Sequence, residues 1–447
     1  MGRFTFAPVC ASLLAFTAAG APLVPDAPPT DGPMLASSRK VVTLKEALAL
    51  ASQNSAELAG ARAQALQVES QANRVWGAIL PEINAAGSVV HTSAPAVLPA
   101  IPGVIPSAIN IQATDSLYGN VTLTETLITP QMVLIPAAKT GVESARLGVL
   151  EAREQVLLNT ARIYLSLQGI SQLEAAAHDA EVVALKREKD ATNQLNAGMA
   201  VEVSLLRAQA DTAQARSTLA QLAGQREALL SLLEALTGEA VRPDENGAGM
   251  DFGSPAQETA QPWENKYLIK SQQKGYEALD AFHTYDRLLW MPSLSAQARG
   301  LYNSNSGFTG KNAWWDASLI VSFPIYDRGA RYSAMHEDDA KAAEQLAKLE
   351  ATRRQAKATW VGAKTNLEAA QAAANLAESQ LQLATRAQKQ LESAYQAGVA
   401  TSLELSDMDN KRFLAASAAA QAKAQVEVRK VEVAAAEGRL AEAAGLK

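Results

Sequence analysis

Apolar positions in this chain follow two different periods in separate stretches. Leu367, Ala370, Ala374, Ala377, Leu381, Ala384, Gln388, Leu391 and Tyr395 recur at steps of three and four residues. The same spacing runs through Leu205, Ala208, Thr212, Ala215, Leu219, Leu222, Leu229, Leu233 and Leu236, interrupted by Arg226. Such seams predict long helices lying side by side, and their alanine content lets antiparallel neighbours approach closely. A period of two appears elsewhere. Leu294, Ala296, Ala298, Gly300 and Tyr302 fall on one face of an extended segment, with Ser295, Gln297 and Arg299 on the other. Alternation of this kind predicts strands over about 82–91 and 118–127, then 293–303 and 315–325. All 18 prolines lie outside the blocks 137–242 and 325–447. Proline costs roughly 3 kcal/mol inside a helix, so the two blocks mark unbroken helix. Helices over about 136–195 and 338–395 would each be roughly 85–90 Å long at 1.5 Å per residue.

The elements come twice. Ala197-Gly198-Met199-Ala200-Val201-Glu202-Val203-Ser204-Leu205 is answered by Ala397-Gly398-Val399-Ala400-Thr401-Ser402-Leu403-Glu404-Leu405. At one fixed offset the copies share Ala, Gly, an apolar residue, Ala, a further apolar residue and a Leu. Leu80-Pro81-Glu82-Ile83 is likewise answered by Met291-Pro292-Ser293-Leu294. The pattern is that of an internal duplication of helical hairpins joined at a Gly turn, which fits a tube better than an enzyme. Thr43-Leu44-Lys45-Glu46 forms a capping box that opens a helix expected to run to about Ile79, before Pro81. The organisation expected is a signal over 1–20, a flexible leader over 21–42, repeat 1 over 43–240, a linker over 241–264 and repeat 2 over 265–447.

Composition narrows the partners. Aromatic residues are only 5% of the chain, which favours thin packing over a thick core. The net charge of −6, with no basic cluster interleaved with aromatics, argues against nucleic acid. Arg3, an apolar run from Phe4 to about Ala18 and the small residues Ala18-Ala19-Gly20 make a secretory signal. Cys10, the only cysteine, would be lost with it; acylation of Cys10 is the competing reading, although the apolar run continues past it. Beyond the signal no run of 18 apolar residues occurs, so no transmembrane helix is expected, but a β-barrel remains open to an exported chain. Strands of 9–11 residues suit a tilted bilayer crossing. Trp290, Tyr302, Trp314, Trp315 and Tyr326 gather around them as an interfacial aromatic girdle would. The same strands fit an ordinary half-buried hairpin, and the signal tips the reading towards a membrane. Four strands cannot close a barrel, so a membrane reading requires copies: two would give eight strands and three would give twelve.

A capped helix, a strand pair and a long helical hairpin with an Ala-Gly turn, all repeated, resemble the TolC-like outer membrane efflux proteins over about 43–445. The resemblance implies a mixed α/β membrane protein. Its long antiparallel α-helical hairpins would form an α-barrel, and its four β-strands per protomer would contribute to a trimeric 12-stranded transmembrane β-barrel. It also implies a homotrimer embedded in outer membrane lipid, docked on a periplasmic adaptor (membrane fusion protein) and an inner-membrane transporter, and exporting drugs, proteins or metal ions. On that basis Gly198, Met199, Gly398, Val399 and Thr401 would lie at the periplasmic tips that meet the adaptor. The family's tips carry Ser or Thr three residues past the Gly and Asp six past it. The second copy here has Thr401 and Glu404, whereas the first has Val201 and Ser204. The family's Pro-Leu-Phe-Asp-Gly-Gly signature stands as Pro324-Ile325-Tyr326-Asp327-Arg328-Gly329, and its first-half counterpart over 126–130 is eroded. Glu404 and Asp407 match positions lining the tunnel entrance. Spaced i,i+3 on one helix face, they would form two carboxylate rings in a trimer, favour cations and raise one another's pKa. The competing reading is two acids in the first turns after Ser402 that complement the helix dipole and face solvent. Tyr395 matches a gating tyrosine whose expected acidic partner is here Ser204.

Chemistry of other kinds is not indicated. His91, His178, His283 and His336 are scattered, and His336-Glu337-Asp338-Asp339 is expected to be the acidic first turn of a helix rather than a metal cluster. Gly247-Ala248-Gly249 is no dinucleotide fingerprint, and no zinc spacing, nucleophile elbow or P-loop occurs. The 8 methionines are unclustered, which argues against a copper path. No catalytic residue, cofactor or metal site is expected. The function expected is a passive conduit, the outer membrane channel of a tripartite efflux or type I secretion system, driven by a partner pump. The rival is a periplasmic coiled-coil scaffold or adaptor, which would have one hairpin and no repeated strand pair. A surface coiled coil is disfavoured because the Gly turns fold the helices back.

Overall fold

The computed structural model describes residues 39–104, 106–199, 201–244, 250–305 and 310–446. The signal and almost all of the expected leader therefore lie outside the described residues, as does the Gly247–Gly249 segment.

Four antiparallel strands form one sheet: β2 (Glu82–His91), β5 (Asp115–Ile128), β7 (Ser293–Asn303) and β8 (Ala313–Ser322), ordered β2-β5-β7-β8. Strand β1 (Lys40–Val42), in the interval expected to be a flexible leader, pairs in parallel with β6 (Val241–Pro243). A small hairpin, β3 (Ala96–Leu98) with β4 (Ile109–Gln112), occupies the loop between β2 and β5. All four expected sheet strands are present within a few residues of their expected ends.

Two pairs of long helices extend from the sheet. α3 (Leu134–Asn196) has 63 residues and turns into α4 (Glu202–Thr237). α7 (Ala330–Gln396) has 67 residues and turns into α8 (Ser402–Ala436). At 1.5 Å per residue α3 and α7 are about 95–100 Å long. α7 begins eight residues earlier than expected, so His336-Glu337-Asp338-Asp339 lies inside it and is not its first turn. The cause is Asp327, whose carboxylate accepts from the amides of Gly329 (3.2 Å) and Arg331 (3.1 Å) and so starts the helix. The first expected helix is also divided, into α1 (Leu44–Asn54) and α2 (Ala56–Gly77). Ser55 ends one and caps the other, accepting from Leu58 N. Asn54 meanwhile donates to Thr237 O at 2.8 Å, tying the break to the end of α4. Repeat 2 has the corresponding pair α5 (Tyr267–Asp280) and α6 (Phe282–Leu288).

The apolar core is confined to a waist. Val42, Leu48, Leu157, Tyr164, Leu233, Val241, Phe252, Val431 and Leu440, the last on the short α9 (Leu440–Ala443), bury one another there. Trp263, Ile269, Leu349, Trp360 and Leu367 make a second cluster beside it. Tyr164 Oη donates to Val42 O (3.0 Å) and accepts from Asp244 N (3.3 Å), pinning the β1–β6 ladder to the middle of α3. The interval expected to be a linker thus packs into the waist through Val241, Phe252 and Trp263. Away from the waist the helices meet through small residues such as Ala208, Thr212, Ala415 and Ala419. Gly169 of α3 approaches α8 so closely that a Cβ there would lie 2.7 Å from Ala424 Cβ.

Candidate functional site

The two helical turns close with the same bonds. Gly198 (φ 71°) donates to Leu195 O at 2.9 Å and Met199 to Gln194 O at 2.8 Å. Gly398 (φ 74°) donates to Tyr395 O at 3.0 Å and Val399 to Ala394 O at 2.9 Å. This is the Schellman arrangement, which needs a left-handed residue after the helix and so explains the glycine in each copy. Met199 and Val399 are both strongly exposed. The two tips lie together across a cleft lined by Gln194, Ser204, Tyr395 and Ser402.

Tyr395 is joined not to Ser204 but to Gln194, whose Nε2 donates to its hydroxyl at 2.8 Å. The helices that leave the tips differ in their caps. Val201 (φ −90°, ψ 151°) and Thr401 (φ −86°, ψ 155°) have the same extended cap backbone. Only Thr401 caps through its side chain. Its Oγ1 accepts from Glu404 N at 3.2 Å, and the Glu404 carboxylate accepts from Thr401 N and Oγ1, each at 2.8 Å. The cap is therefore Thr401 rather than Ser402, and Glu404 belongs to a capping box. The Thr401 amide, followed by its hydroxyl, holds the Glu404 pKa below the usual glutamate range. Within one chain that direction is opposite to the mutual repulsion expected of an acidic ring. Asp407 pairs with Lys411 at 2.7 Å. Both acids are exposed on α8.

Above the tips lies a polar cluster that sequence reading missed. Arg187 Nε of α3 donates to Asp409 Oδ2 of α8 at 3.0 Å, and Arg187 Nη2 reaches Glu392 of α7 at 3.5 Å. Gln388 of α7 donates to Asp409 Oδ1 at 2.9 Å, and Lys186 pairs with Glu392 at 3.1 Å. Lys186, then Arg187, hold Glu392 below its usual pKa against partial burial. These residues join three helices and are more than 200 positions apart between the repeats. The only clue was Gln388, a polar residue in an apolar seam.

The sheet has two unlike faces. Ile83, Ala85 and Val89 of β2 stand beside Leu123, Val121 and Leu117 of β5. Ala296, Ala298, Gly300 and Tyr302 of β7 continue that face to Leu319, Ala317, Trp315 and Ala313 of β8. It is uncovered: Val89 is 76% exposed, Trp315 77% and Val321 65%. The other face presents Asn84, Asn120, Thr122, Thr124, Ser295, Gln297 and Ser318. The expected aromatic girdle divides accordingly. Tyr302 and Trp315 share the apolar face near one end. Trp314, next to Trp315 in a strand, projects from the opposite face beside Leu301, because side chains alternate. Trp290 and Tyr326 lie outside the strands at the other end. There Trp290 carries the Arg331 guanidinium 4.0 Å above its ring and meets Tyr332 edge-on. Among the described residues no helix is long and apolar enough to cross a membrane, and no group of acidic, His or Cys side chains could hold a metal ion.

An uncovered sheet continued by helical hairpins of this length is the architecture of outer membrane channel protomers. A membrane protein from Pseudomonas aeruginosa superposes with a TM-score of 0.77 at 18% identity, covering 88% of this chain and 93% of that one. The outer membrane channel CmeC of Campylobacter jejuni gives 0.74 at 18% identity, covering 89% and 86%. The outer membrane protein VceC of Vibrio cholerae gives 0.74 at 17% identity, covering 88% and 96%. Residues 264–439, nearly all of the second repeat, match the family Outer membrane efflux protein. No curated protein matches the chain in sequence. The second repeat thus matches the model of this family, and the whole chain shares the fold of solved outer membrane channels.

Proposed function

We propose that the chain is one of three identical protomers of an efflux channel. The protomers would close a 12-stranded β-barrel in the outer membrane above an α-helical tunnel, and a periplasmic adaptor and an inner-membrane transporter would complete a tripartite export system. The observation that carries this reading is the sheet. It has two unpaired edges, β2 and β8, one uncovered and mainly apolar face suited to lipid, broken by Glu125 beside Ala296 and by the His91–Asp115 pair at the loop end, and one polar face suited to a lumen. In the order β2-β5-β7-β8 every neighbour is antiparallel, so β8 of one copy meets β2 of the next antiparallel as well. Closure by three copies therefore leaves no edge. The equivalent Schellman turns and paired strand sets support an origin by internal duplication, with repeats 43–240 and 265–447. Gly198, Met199, Gly398, Val399 and Thr401 would present the adaptor contact. Tyr395, Glu404 and Asp407 would line the entrance, with Glu404 held ionised by Thr401 and Asp407 partly compensated by Lys411.

The test is single-channel conductance of the mature protein in a planar bilayer, on the parent and on Glu404→Gln/Asp407→Asn. Uniform cation-selective steps, with selectivity weakened in the double variant, are expected. Steps unchanged by the variant would keep the channel and remove the acidic entrance. A folded oligomer that never inserts would turn the reading to a periplasmic scaffold.

A further inference from the structure

The polar face of the sheet is nearly free of charge. Across its four strands the alternation places Asn84, Ala86, Ser88, Val90, Ser116, Tyr118, Asn120, Thr122, Thr124 and Thr126 on this side. Ser293, Ser295, Gln297, Leu301, Asn303, Trp314, Ser318, Ile320 and Ser322 join them from β7 and β8. Glu82, at the helical end, carries one charge and accepts from Asn84 Nδ2 at 3.0 Å. The only other charges are Arg299 and Asp316, direct partners across β7 and β8. Their contact is two-pronged: Nε to Oδ1 at 3.0 Å and Nη2 to Oδ2 at 3.1 Å. They continue a lateral row, Asn84–Thr122–Arg299–Asp316, that crosses all four strands at one height.

Stability gives little reason for this pair. Both side chains are well exposed, and an exposed ion pair contributes little to folding. Position gives a better one. Resting on the reading that this face lines a pore, we propose that Arg299 and Asp316 set the ion selectivity of the exit barrel by cancelling one another. In three copies they form a ring of zero net charge in a wall of mostly uncharged side chains, whose one other charge per copy is Glu82 at the helical end. A ring of one sign would concentrate counter-ions and repel co-ions. The paired ring does neither, so the barrel passes polar solutes of either sign and leaves charge discrimination to the tips. The fork fit of guanidinium to carboxylate fixes the two charges against each other as well as cancelling them.

The experiment measures reversal potential under a potassium chloride gradient, with the mature channel in a planar bilayer. Asp316→Asn leaves three unpaired guanidiniums and is expected to shift the potential towards the chloride limit. Arg299→Gln leaves three unpaired carboxylates and is expected to shift it towards the potassium limit. The double variant, with the pair absent but the charge balanced, is expected to return to the parent value. A pair that only fixes strand register would lower stability in all three variants without opposite shifts, and that result overturns the proposal. A separate check uses Thr122→Cys in a Cys10→Ser background. Modification by a membrane-impermeant cationic thiol reagent should shift the potential towards chloride. Failure to react in a conducting channel would put this face in lipid and overturn the proposal, while leaving the conduit intact. A folded parent that never conducts overturns the conduit reading and this inference with it.

Discussion

Val201 and Thr401 hold the same backbone conformation at the same place in two hairpins, yet only Thr401 has a side chain that can accept a hydrogen bond. A missing cap side chain costs about 1 kcal/mol; at the first tip the Ser204 amide turns back to Val201 O at 2.9 Å instead. Val201→Thr should therefore stabilise the first tip by about 1 kcal/mol, and Thr401→Val should destabilise the second by a similar amount. Hydrogen exchange of the first turns of α4 and α8 in each variant would read both effects. Glu154 makes a different point about single residues. It is buried on α3, where one carboxylate oxygen accepts from Ala441 N at 2.9 Å and the other has no partner. Burial raises its pKa, only partly offset by the Ala441 amide. A carboxyl whose folded pKa is raised binds its proton more tightly when folded, so it favours the folded state at low pH. That advantage is lost as pH rises from the ordinary glutamate range through the higher folded value. Glu154→Gln keeps the bond to Ala441 and has no charge to bury, so its melting temperature should fall less than the parent's between pH 4 and pH 8 (about the range a carboxyl can span). An equal fall in both proteins would show that Glu154 titrates normally.

Elements were legible wherever a period had room to repeat. The strands at 82–91 and 293–303 match their observed spans because ten residues display alternation, and the long helices follow from proline-free seams. Shorter features were not legible. Three residues cannot show a period, so Lys40–Val42 and Val241–Pro243 pass for leader and linker although they pair and anchor the waist. Asp327 starts α7 from outside the helical pattern, and an acidic run two turns further on gave a stronger signal than the true start. Contacts between repeats were beyond reach, above all the cluster of Arg187, Gln388, Glu392 and Asp409. Its prediction belongs to the hairpins as units. Arg187 and Asp409 are only 17% and 12% exposed, so removing the cation leaves a largely buried carboxylate facing Gln388 alone. Arg187→Ala should destabilise the packing of α3 against α7 and α8 by about 3 kcal/mol. Arg187→Met/Asp409→Leu, which removes both charges, should recover most of that. Limited proteolysis near residues 194–204 and 394–404 would report it: faster cleavage in the single variant, near-parent cleavage in the double. Equal rates in all three would mean that the cluster does not hold the tips.

The whole molecule is unfinished as a single chain. Two strands of ten residues, β2 and β8, end the sheet with free backbone groups on an apolar surface, a combination that invites pairing and that isolated proteins avoid. Helices show the same incompleteness: Leu206 of α4 and Leu376 and Leu383 of α7 are strongly exposed, although the seams of both hairpins are closed within the chain. Intramolecular pairing cannot resolve the edges, because β2 and β8 are separated by two intervening strands and a four-stranded sheet is too narrow to curl into a barrel. Another copy is the direct remedy, and the strand directions allow a ring in which each β8 faces the next β2. Cysteines at Ala85 in β2 and at either Ala313 or Ala317 in β8, in a Cys10→Ser background, test that geometry. With a short bifunctional thiol cross-linker, one of the two pairings should give covalent dimers and trimers but no larger species, since a closed ring of three has no free edge left. A ladder extending past three would mean open-ended edge pairing, and monomers alone would mean that the edges stay apart. The trimer limit, rather than cross-linking as such, is the informative result, because only closure converts three sheets, each with one mainly apolar and one polar face, into a pore.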